Sequence, residues 1–305
     1  MTRLLVFAYH ELGYHSLEFL VGTRENVVGV FSHQDDGDEN IYFHSVAELA
    51  RCNKIPVHTP SDVNSDIWFE KISQLNPDLL LSFAYRLMLD QRILDLPKFG
   101  AFNCHPSLLP RYRGRAPINW AVLRGETETG VTIHAMTDQA DAGDIIDQTL
   151  IPIGPRDSAL DVTNKIAPAG ARLLEKNIAV LKTGNAPHRK QNEQDAFYVG
   201  RRRPEDGRIN WQVHCVDVFN LIRAITHPYP GAFTDINNHR LLIWWAEPLD
   251  GQYGRPGEII DLEPLTIACR KGALKCLEIQ WIPLDNMTKT SPPDLKVGQN
   301  LALES

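Results

Sequence analysis

Short apolar runs alternate with helical patterns along the first hundred residues, and this alternation constrains the fold more than any other feature of the sequence. The apolar runs have the length and composition of buried strands and occupy residues 4–9, 27–31 and 79–83. The helical patterns and one short edge strand between them cover residues 16–20, 45–53, 55–57 and 66–75. Strands that alternate with helices form βαβ units, so we expect an α/β fold, a Rossmann-like mostly parallel sheet with helices on both faces.

The texture of the sequence changes after about residue 205, which predicts a second domain. A long helical pattern from Ser158 to Leu181, interrupted by Pro168, closes the first part of the chain, and a helix over 213–226 leads into the next. The runs that follow are rich in β-branched and aromatic residues and cover 233–234, 241–245, 258–260, 265–268 and 276–282. We predict a small β-barrel, OB-like, over residues 204–305, after a Rossmann-like catalytic domain over residues 1–203.

Composition and charge exclude several classes of protein. The five cysteines form no C-x-x-C pair, which fits a reducing compartment and hence the cytoplasm. We find no run of about 18 apolar residues, so no membrane span is expected, and His10, Glu11 and His15 interrupt the first apolar stretch as no signal peptide would tolerate. The net charge of −7 disfavours general nucleic-acid binding. The histidines and cysteines lack metal-ligand spacing, and no metal is expected.

The loop after the first predicted strand bears on the choice of ligand. Ligands of open α/β sheets bind beyond the carboxyl ends of the strands, and Tyr9 and His10 lie there as candidate substrate contacts. The loop lacks the G-x-G-x-x-G pattern of dinucleotide-binding proteins, so a nicotinamide-dependent oxidoreductase becomes a weak alternative.

Candidate catalytic residues lie in the segment from 100 to 147. Asn103 and His105 are two residues apart, so in an extended segment both side chains face one side. An Asn amide can donate to an oxyanion, His can exchange a proton near neutral pH, and Asp141 could orient the imidazole and raise its pKa. Residue types alone leave a turn cap, a surface histidine and a plain loop carboxylate open, and Cys104 is predicted to be a packed, inert thiol.

A longer string of motifs resolves this ambiguity by resemblance. It consists of N-C-H-P-S-L-L-P from Asn103, Y-R-G from Tyr112, Pro117, E-T-G-V-T from Glu128 and D-A-G-D-I from Asp141. In order, spacing and residue type it resembles the N10-formyltetrahydrofolate-dependent formyltransferase family. The resemblance implies a Rossmann-like domain followed by a small β-barrel, and it implies that Asn103, His105 and Asp141 form the catalytic trio.

The same resemblance implies a co-substrate, N10-formyltetrahydrofolate, and the residues that would contact it. These implied contacts are Leu87, Met88, Leu89, Arg115, Thr137, Asp138, Gln139, Ala140 and Asp141.

Within the family the chain most resembles the formyltransferase part of bifunctional polymyxin-resistance enzymes, which formylate UDP-4-amino-4-deoxy-L-arabinose. Further matching strings include V-F-A-Y-H, R-G-R-A-P, G-R-R and P-Y-P-G-A-F. A nucleotide sugar needs cationic groups for its pyrophosphate, and Arg201 and Arg203 in the triplet 201–203 could provide them. Those enzymes continue into a dehydrogenase/decarboxylase domain, whereas this sequence ends at Ser305. The resemblance therefore leaves two expectations open, a fused or partner dehydrogenase/decarboxylase domain and a stand-alone enzyme that forms a homo-oligomer.

Other acceptors stay open. The form His-Pro-Ser also resembles methionyl-tRNA formyltransferases, but residues 206–305 carry nine Lys or Arg against twelve Asp or Glu, a poor surface for tRNA. Those relatives carry a basic insertion where this chain has an acidic run over residues 35–39. A formyltetrahydrofolate hydrolase would use the same site with water, and a folate-binding regulatory module would bind without transfer.

Overall fold

The computed structural model describes residues 1–35, 40–236, 238–284 and 293–301. The chain divides into two compact units. The first unit comprises Met1–Ile118, Glu128–Pro152 and Val162–Gly200. The second comprises Asn119–Thr127, Ile153–Asp161 and Arg201–Ser305. The predicted domain boundary between residues 203 and 204 stays a prediction.

Strands and helices follow each other along the chain as the apolar pattern predicts. The helices are α1 (His10–Gly22), α2 (Val46–Cys52), α3 (Asp66–Gln74), α4 (Gln91–Leu94), α5 (Pro117–Leu123), α6 (Ala159–Leu181) and α7 (Cys215–Ile225). The strands of the first unit are β1 (Leu4–Ala8), β2 (Val27–Phe31), β3 (Val57–His58), β4 (Leu79–Phe83), β5 (Ala101–His105), β6 (Arg113–Gly114), β7 (Glu128–Ala135), β8 (Ile145–Pro152) and β9 (Tyr198–Val199). The strands of the second unit are β10 (Ala232–Ile236), β11 (His239–Leu249), β12 (Ile259–Leu262), β13 (Leu265–Ala268) and β14 (Ala273–Pro283).

A seven-stranded sheet organises the first unit, in the order β3-β2-β1-β4-β5-β7-β8. The first five strands pair in parallel, and β7 and β8 add two antiparallel strands beside β5. β1 and β4 are buried along their whole length, since helices cover both faces of a parallel sheet. One core cluster includes Leu5, Phe7, Phe31, Ile72 and Leu80. The predicted mostly parallel sheet is confirmed.

The second unit contains a five-stranded antiparallel sheet in the order β10-β11-β14-β13-β12, with β10 and β12 as the outer strands. All five predicted runs are strands: β13 coincides with its predicted run, β12 begins one residue later than predicted, and the other three extend beyond their runs at both ends. The helix α7 corresponds to the pattern predicted over 213–226. The sequence predicted a small β-barrel here, and the prediction of a second, β-rich domain is confirmed, in the form of an antiparallel sheet.

Two details of the prediction change. The helix α6 continues through Pro168, although proline removes a helical hydrogen bond and was expected to interrupt the pattern. The residues that bury one face of α6, such as Val162, Ile166, Leu173 and Leu174, explain why packing outweighs that loss. The acidic run lies largely outside the described residues, at 36–39. Among the helices of the described residues, none is both long enough and apolar enough to cross a membrane.

Candidate active site

The strand β5 positions the first two candidate catalytic residues. Asn103 and His105 lie on the same face of β5, and His105 ends the strand at the carboxyl edge of the parallel sheet. Ligands of such sheets bind beyond this edge. Asp141 lies in the loop between β7 and β8, and β7 pairs with β5, so the loop returns toward Asn103. The three predicted catalytic residues therefore come together in the first unit.

The carboxylate of Asp141 is the centre of this cluster. Its Oδ1 lies 3.4 Å from each of three nitrogens, namely Asn103 Nδ2, His105 Nδ1 and His134 Nε2. Its Oδ2 accepts a hydrogen bond of 2.9 Å from the backbone N–H of Gly114. The side chain of Asp141 is 12% exposed, so the carboxylate is largely shielded from solvent.

The hydrogen bond of the second ring nitrogen of His105 determines which nitrogen carries the hydrogen in the neutral ring. Nε2 lies 2.9 Å from the backbone oxygen of Tyr112. A carbonyl oxygen only accepts hydrogen bonds, so Nε2 carries a hydrogen and donates it. In the neutral ring the basic nitrogen is then Nδ1, which faces Asp141. Proton exchange by His105 therefore takes place at Nδ1.

Burial and charge act in opposite directions on this pair. Burial lowers the pKa of His105, and this effect outweighs the opposing attraction of Asp141, whereas the sequence predicted a raised pKa. Burial alone would raise the pKa of Asp141, but the imidazoles of His105 and His134, which attract the carboxylate when they are protonated, and the N–H of Gly114 hold that pKa well below its usual range. At neutral pH the site thus contains a carboxylate beside a neutral imidazole that can accept a proton.

His134 belongs to the cluster but escaped the sequence analysis. It lies on β7 directly opposite Asn103 and is 2% exposed. Its Nε2 is 3.2 Å from Asn103 Nδ2, and its Nδ1 is 2.8 Å from the backbone oxygen of Ala135. The only signal in the sequence is a histidine inside the apolar run V-T-I-H-A, and no spacing connects it to Asn103.

A brace from the segment before β9 holds the loop of Asp141. Gln191 donates through Nε2 to the backbone oxygens of Asp141 (2.8 Å) and Gly143 (2.7 Å). Its Oε1 accepts two hydrogen bonds from Arg113, at 3.1 and 2.9 Å. Arg113 is 1% exposed and also binds both carboxylate oxygens of Glu193. The amide of Gln191 is fully satisfied and therefore rigid, and sequence reasoning missed it because it lies 50 residues from Asp141.

Left-handed backbone surrounds the cluster. Tyr112, Ala116 and Asp141 have φ of 60°, 51° and 55°, and Ala84 at the end of β4 has 52°. Such conformations are unfavourable for residues with a side chain and concentrate at functional sites. Gly114 has φ of 98°, and a Cβ there would lie 2.5 Å from the backbone oxygen of Val199, so only glycine can present its N–H to Asp141.

The predicted folate contacts occupy two loops of the first unit. Leu87 is half-buried, Met88 is 49% exposed and Leu89 is buried in the loop after β4. Arg115 donates to the backbone oxygen of Arg86 in that loop, at 3.1 Å. The predicted residues of the second loop precede Asp141 directly and are Thr137, Asp138, Gln139 and Ala140.

Hydrogen bonds shape this second loop. Thr137 donates through its hydroxyl to the backbone oxygen of Gln139, at 2.9 Å. Tyr198 donates to the backbone oxygen of Ala140, at 3.0 Å. These hydrogen bonds thus fix the end of the loop that carries the Asp141 carboxylate.

The predicted sugar contacts lie in both units. In the first, the Tyr9 hydroxyl donates to Asp35 at 3.0 Å, and the guanidinium of Arg86 lies 4.5 Å from the Tyr9 ring. His10 is 2.8 Å from the Tyr42 hydroxyl. In the second unit, Arg201 is exposed and Arg203 donates its backbone N–H to Asp206. The roles of these four residues stay predictions.

One thiol lies beside the cluster, and a possible set of metal ligands lies in the second unit. Burial raises the pKa of Cys104 to about 12, so this thiol stays protonated, as its position between Asn103 and His105 led us to expect. Within the described residues, His214, Cys215 and Asp250 of the second unit are close enough to share an ion. However, His214 Nδ1 already accepts from the N–H of Val216, and the Cys215 thiol lies against the backbone oxygen of Leu249.

Comparison with known proteins gives two family matches. A family model described as formyl transferase matches residues 19–178, and one described as formyl transferase, C-terminal domain, matches residues 201–291. Together they cover most of both units.

Solved structures share the fold. An N-formyltransferase from Helicobacter canadensis in complex with folinic acid and dTDP-3-aminofucose is 23% identical, with a TM-score of 0.73 over 90% of this chain and 99% of that chain. WlaRD, a sugar 3N-formyltransferase solved in the presence of dTDP and 5-N-formyl-THF, is 21% identical, with a TM-score of 0.67 over 94% and 99%. A sugar N-formyltransferase from Shewanella sp. is 20% identical, with a TM-score of 0.61 over 76% and 92%.

Proposed function

The chain belongs to the formyl transferase family, and from this premise we propose that it moves a formyl group from N10-formyltetrahydrofolate to the amine of a nucleotide-linked amino sugar. The membership confirms the predicted enzyme class, a formyltransferase. The observation that carries the proposal is the convergence of Asn103 and His105 on the Asp141 carboxylate, at 3.4 Å each. An amide donor, a proton acceptor and a fixed negative charge are what acyl transfer to an amine requires.

The chain has polar groups that fit a folate. The hydroxyl of Tyr85 is buried and has no partner within the described residues, and it lies next to the loop of Leu87–Leu89. A heteroaromatic ring bound along that loop could satisfy it, since buried hydroxyls are normally hydrogen-bonded. The predicted co-substrate agrees with relatives solved with folinic acid or 5-N-formyl-THF. When bound, the folate supplies an electrophilic one-carbon unit.

Asn103 stabilises the oxygen of that unit. As an amine attacks the formyl carbon, its oxygen gains negative charge, and an amide N–H aimed at that oxygen lowers the barrier. The Nδ2 of Asn103 makes one ordinary contact with His134 and one long contact of 3.4 Å with Asp141. The hydrogen in the long contact is the one that can turn to the substrate, because hydrogen bonds of that length are weak.

His105 moves the proton. It starts neutral because burial lowers its pKa, and Nδ1 accepts the proton that the attacking amine releases. Asp141 then stabilises the imidazolium that forms. A new N–C bond joins the amine to the formyl carbon, the bond from that carbon to N10 breaks, and the proton passes from His105 to N10. Atoms and charge balance without a metal or redox partner.

The proposed acceptor of the formyl group rests on the structural relatives and on the net charge of residues 206–305. Structural relatives are sugar N-formyltransferases, and the second region of this chain is net acidic, which favours a small nucleotide sugar over tRNA. We propose UDP-4-amino-4-deoxy-L-arabinose or a similar 4-amino sugar, with Tyr9 and His10 near the sugar and Arg201 and Arg203 near the pyrophosphate.

The free thiols bear on the cellular location of the enzyme, and the resemblance bears on its partners. All five cysteines are free, which supports a cytoplasmic location. A dehydrogenase/decarboxylase domain or a second copy of the chain remains the proposed partner.

A mass-spectrometric assay tests the proposal. The protein is incubated with N10-formyltetrahydrofolate and, in separate reactions, with UDP- and dTDP-linked 3-amino and 4-amino sugars and with charged initiator tRNA. We expect the mass of a UDP-linked 4-amino sugar to increase by that of a formyl group in place of one hydrogen. Formylation of tRNA alone would assign the chain to the other substrate class, and formate released without any amine would identify a hydrolase.

A further inference from the structure

We propose that His134 is a positioning residue that fixes which way the Asn103 amide faces, and so determines whether Asn103 can donate to the formyl oxygen. The inference deepens the proposed function and rests on it for its catalytic consequence. It begins from the pairing of β5 with β7, which places Asn103 and His134 directly opposite each other. Directly opposed residues of antiparallel strands are close enough for their side chains to interact.

The contact of His134 with its own strand determines its tautomer. Nδ1 lies 2.8 Å from the backbone oxygen of Ala135, and a carbonyl only accepts, so Nδ1 carries a hydrogen. The neutral ring then presents a bare Nε2. The ring is 2% exposed, so water cannot readily replace either partner.

The bare nitrogen in turn determines the orientation of the amide. Nε2 lies 3.2 Å from Asn103 Nδ2, so the amide NH2 faces His134 and donates to it. The opposite orientation would point the amide oxygen at a lone pair. Turning the amide therefore requires a second proton on His134, which would charge a ring buried beside His105, at 6.4 Å between ring centroids.

The fixed orientation leaves the catalytic hydrogen in place. Nδ2 has two hydrogens, and His134 accepts one of them. The other points toward Asp141 Oδ1, which lies 3.4 Å from Nδ2. Without His134, an inverted amide would present its oxygen to the developing negative charge and would repel it.

His134 also faces Asp141 itself, since Nε2 is 3.4 Å from Oδ1. A bare Nε2 cannot donate to that carboxylate, so this approach becomes a hydrogen bond only when His134 is protonated. The hydrogen donors to Asp141 are then the amide of Asn103 and the backbone N–H of Gly114, and His105 Nδ1 becomes a third donor when it takes up a proton.

Two substitutions separate positioning from packing. In His134→Gln the side-chain oxygen can still accept from Asn103, whereas His134→Leu fills the space without an acceptor. We expect His134→Leu to lower kcat about 10- to 100-fold, the usual loss for a partner that orients a catalytic group. KM for both substrates should change less than about twofold, and His134→Gln should recover most of the rate.

A matched control lies on the same strand. Ile133 is 2% exposed and its side chain points to the opposite face of β7. Ile133→Val should leave kcat unchanged. Binding of 5-formyltetrahydrofolate, measured by calorimetry, should be the same in all three variants. A His134→Leu enzyme with wild-type kcat would overturn the inference, as would a folded His134→Gln enzyme that loses as much activity as His134→Leu.

A second measurement needs neither substrate nor variant activity. Long-range ¹H–¹⁵N spectra of the wild-type histidine rings report each tautomer, and the signal absent from His134→Gln identifies His134 among the 11 histidines. We expect Nδ1 protonated and Nε2 bare at pH 7.5. A proton on Nε2 would overturn the inference even if His134→Leu fails to fold. If the wild type formylates no amine, the proposed function fails, and this spectrum still decides the orientation.

Discussion

The two units bury ionisable side chains in different ways. In the first unit, the Asp141 carboxylate lies 3.4 Å from the nearest nitrogen of each of two histidines, and it remains charged. In the second unit, the buried ionisable groups are mainly the thiols Cys215, Cys269 and Cys276, and burial raises the pKa of each. A buried thiol stays neutral and costs little, whereas a buried carboxylate needs partners.

Backbone strain follows the same division. Of the nine described non-glycine residues with positive φ, only Asn238 belongs to the second unit. Tyr112, Ala116 and Asp141, all close to the catalytic cluster, belong to the first. Strain and buried charge both lower stability, so their concentration in one unit indicates that this unit carries the chemistry.

The largest expected effect is the loss of the amide in the first unit. Asn103→Ala should lower kcat about 100- to 1000-fold, because it removes the donor to the formyl oxygen. Single-turnover rates with the formylated amino sugar as product measure the loss.

Asn177→Ala provides the control for this change. Asn177 is also buried in the first unit, where it donates to Asp147 and to the backbone oxygen of Leu173. Its replacement should lower stability while leaving kcat within about twofold. Equal losses of kcat in both variants would mean that buried amides of this unit act through stability rather than chemistry.

A smaller effect is expected from the brace. Gln191→Leu leaves the backbone oxygens of Asp141 and Gly143 without their hydrogen-bond donor. The Asp141 carboxylate should then be held less firmly beside His105, and kcat should fall about 10- to 100-fold. Gln194→Leu makes the same chemical change three residues further along, at an exposed position, and should have no effect. Unchanged kcat in Gln191→Leu would remove the brace from the mechanism.

At pH 5.5 the loss of stability should fall mainly on the first unit, whereas alkali should destabilise the second unit more than the first, because the second buries the thiols of Cys215, Cys269 and Cys276 and the first buries only that of Cys104. The folded pKa of His105 lies below its unfolded value, so below about pH 6.5 the unfolded chain binds more protons and the first unit loses stability as pH falls. The folded pKa of Asp141 is also depressed, so its contribution is present above about pH 3.9 and is lost as pH falls through the folded value.

In the second unit the thiols reverse this sign. Burial raises the pKa of Cys269 to about 12, so above about pH 8.5 the unfolded chain loses protons that the folded unit keeps, and stability falls as pH rises. Each proton of difference changes stability by up to about 1.4 kcal/mol per pH unit. Hydrogen exchange followed by mass spectrometry, at pH 5.5 and pH 9.5 with intrinsic rates corrected, resolves the two units. Parallel responses in both would contradict this contrast.

The smallest effect concerns packing in the second unit. Ile267 on β13 is fully buried, and Ile267→Val should lower the free energy of unfolding by about 0.5–1.5 kcal/mol, because one methylene leaves the core. Urea titration measures this loss. The kcat of the folded enzyme should not change, and a loss of kcat larger than about threefold would show that the second unit contributes to chemistry.

Local patterns in the sequence predicted much of the first sheet. The runs at β1, β2 and β4 are continuous and apolar, and that pattern needs no knowledge of neighbours. Asn103, His105 and Asp141 were found because they belong to one recognisable string of motifs. The strands β7 and β8 were missed because they mix polar and apolar residues without clear alternation.

Other parts of the site depend on pairing between distant segments. His134 joins Asn103 only because β7 pairs with β5 in one register, and Gln191 reaches Asp141 across 50 residues of chain. The expected rise in the pKa of His105 was wrong because sequence shows which charge is near but not how deeply the ring is buried.

The sequence by itself determined the alternation of strands and helices and the change of architecture after about residue 205, and it indicated which three residues to propose as the catalytic trio. These are local properties, set by the periodicity of side chains and by short motifs. Only the tertiary structure decided which nitrogen of His105 is basic, which way the Asn103 amide faces and what holds Asp141 in place. Those properties depend on hydrogen-bond partners from other strands and on burial, and neither can be read along a single segment of chain.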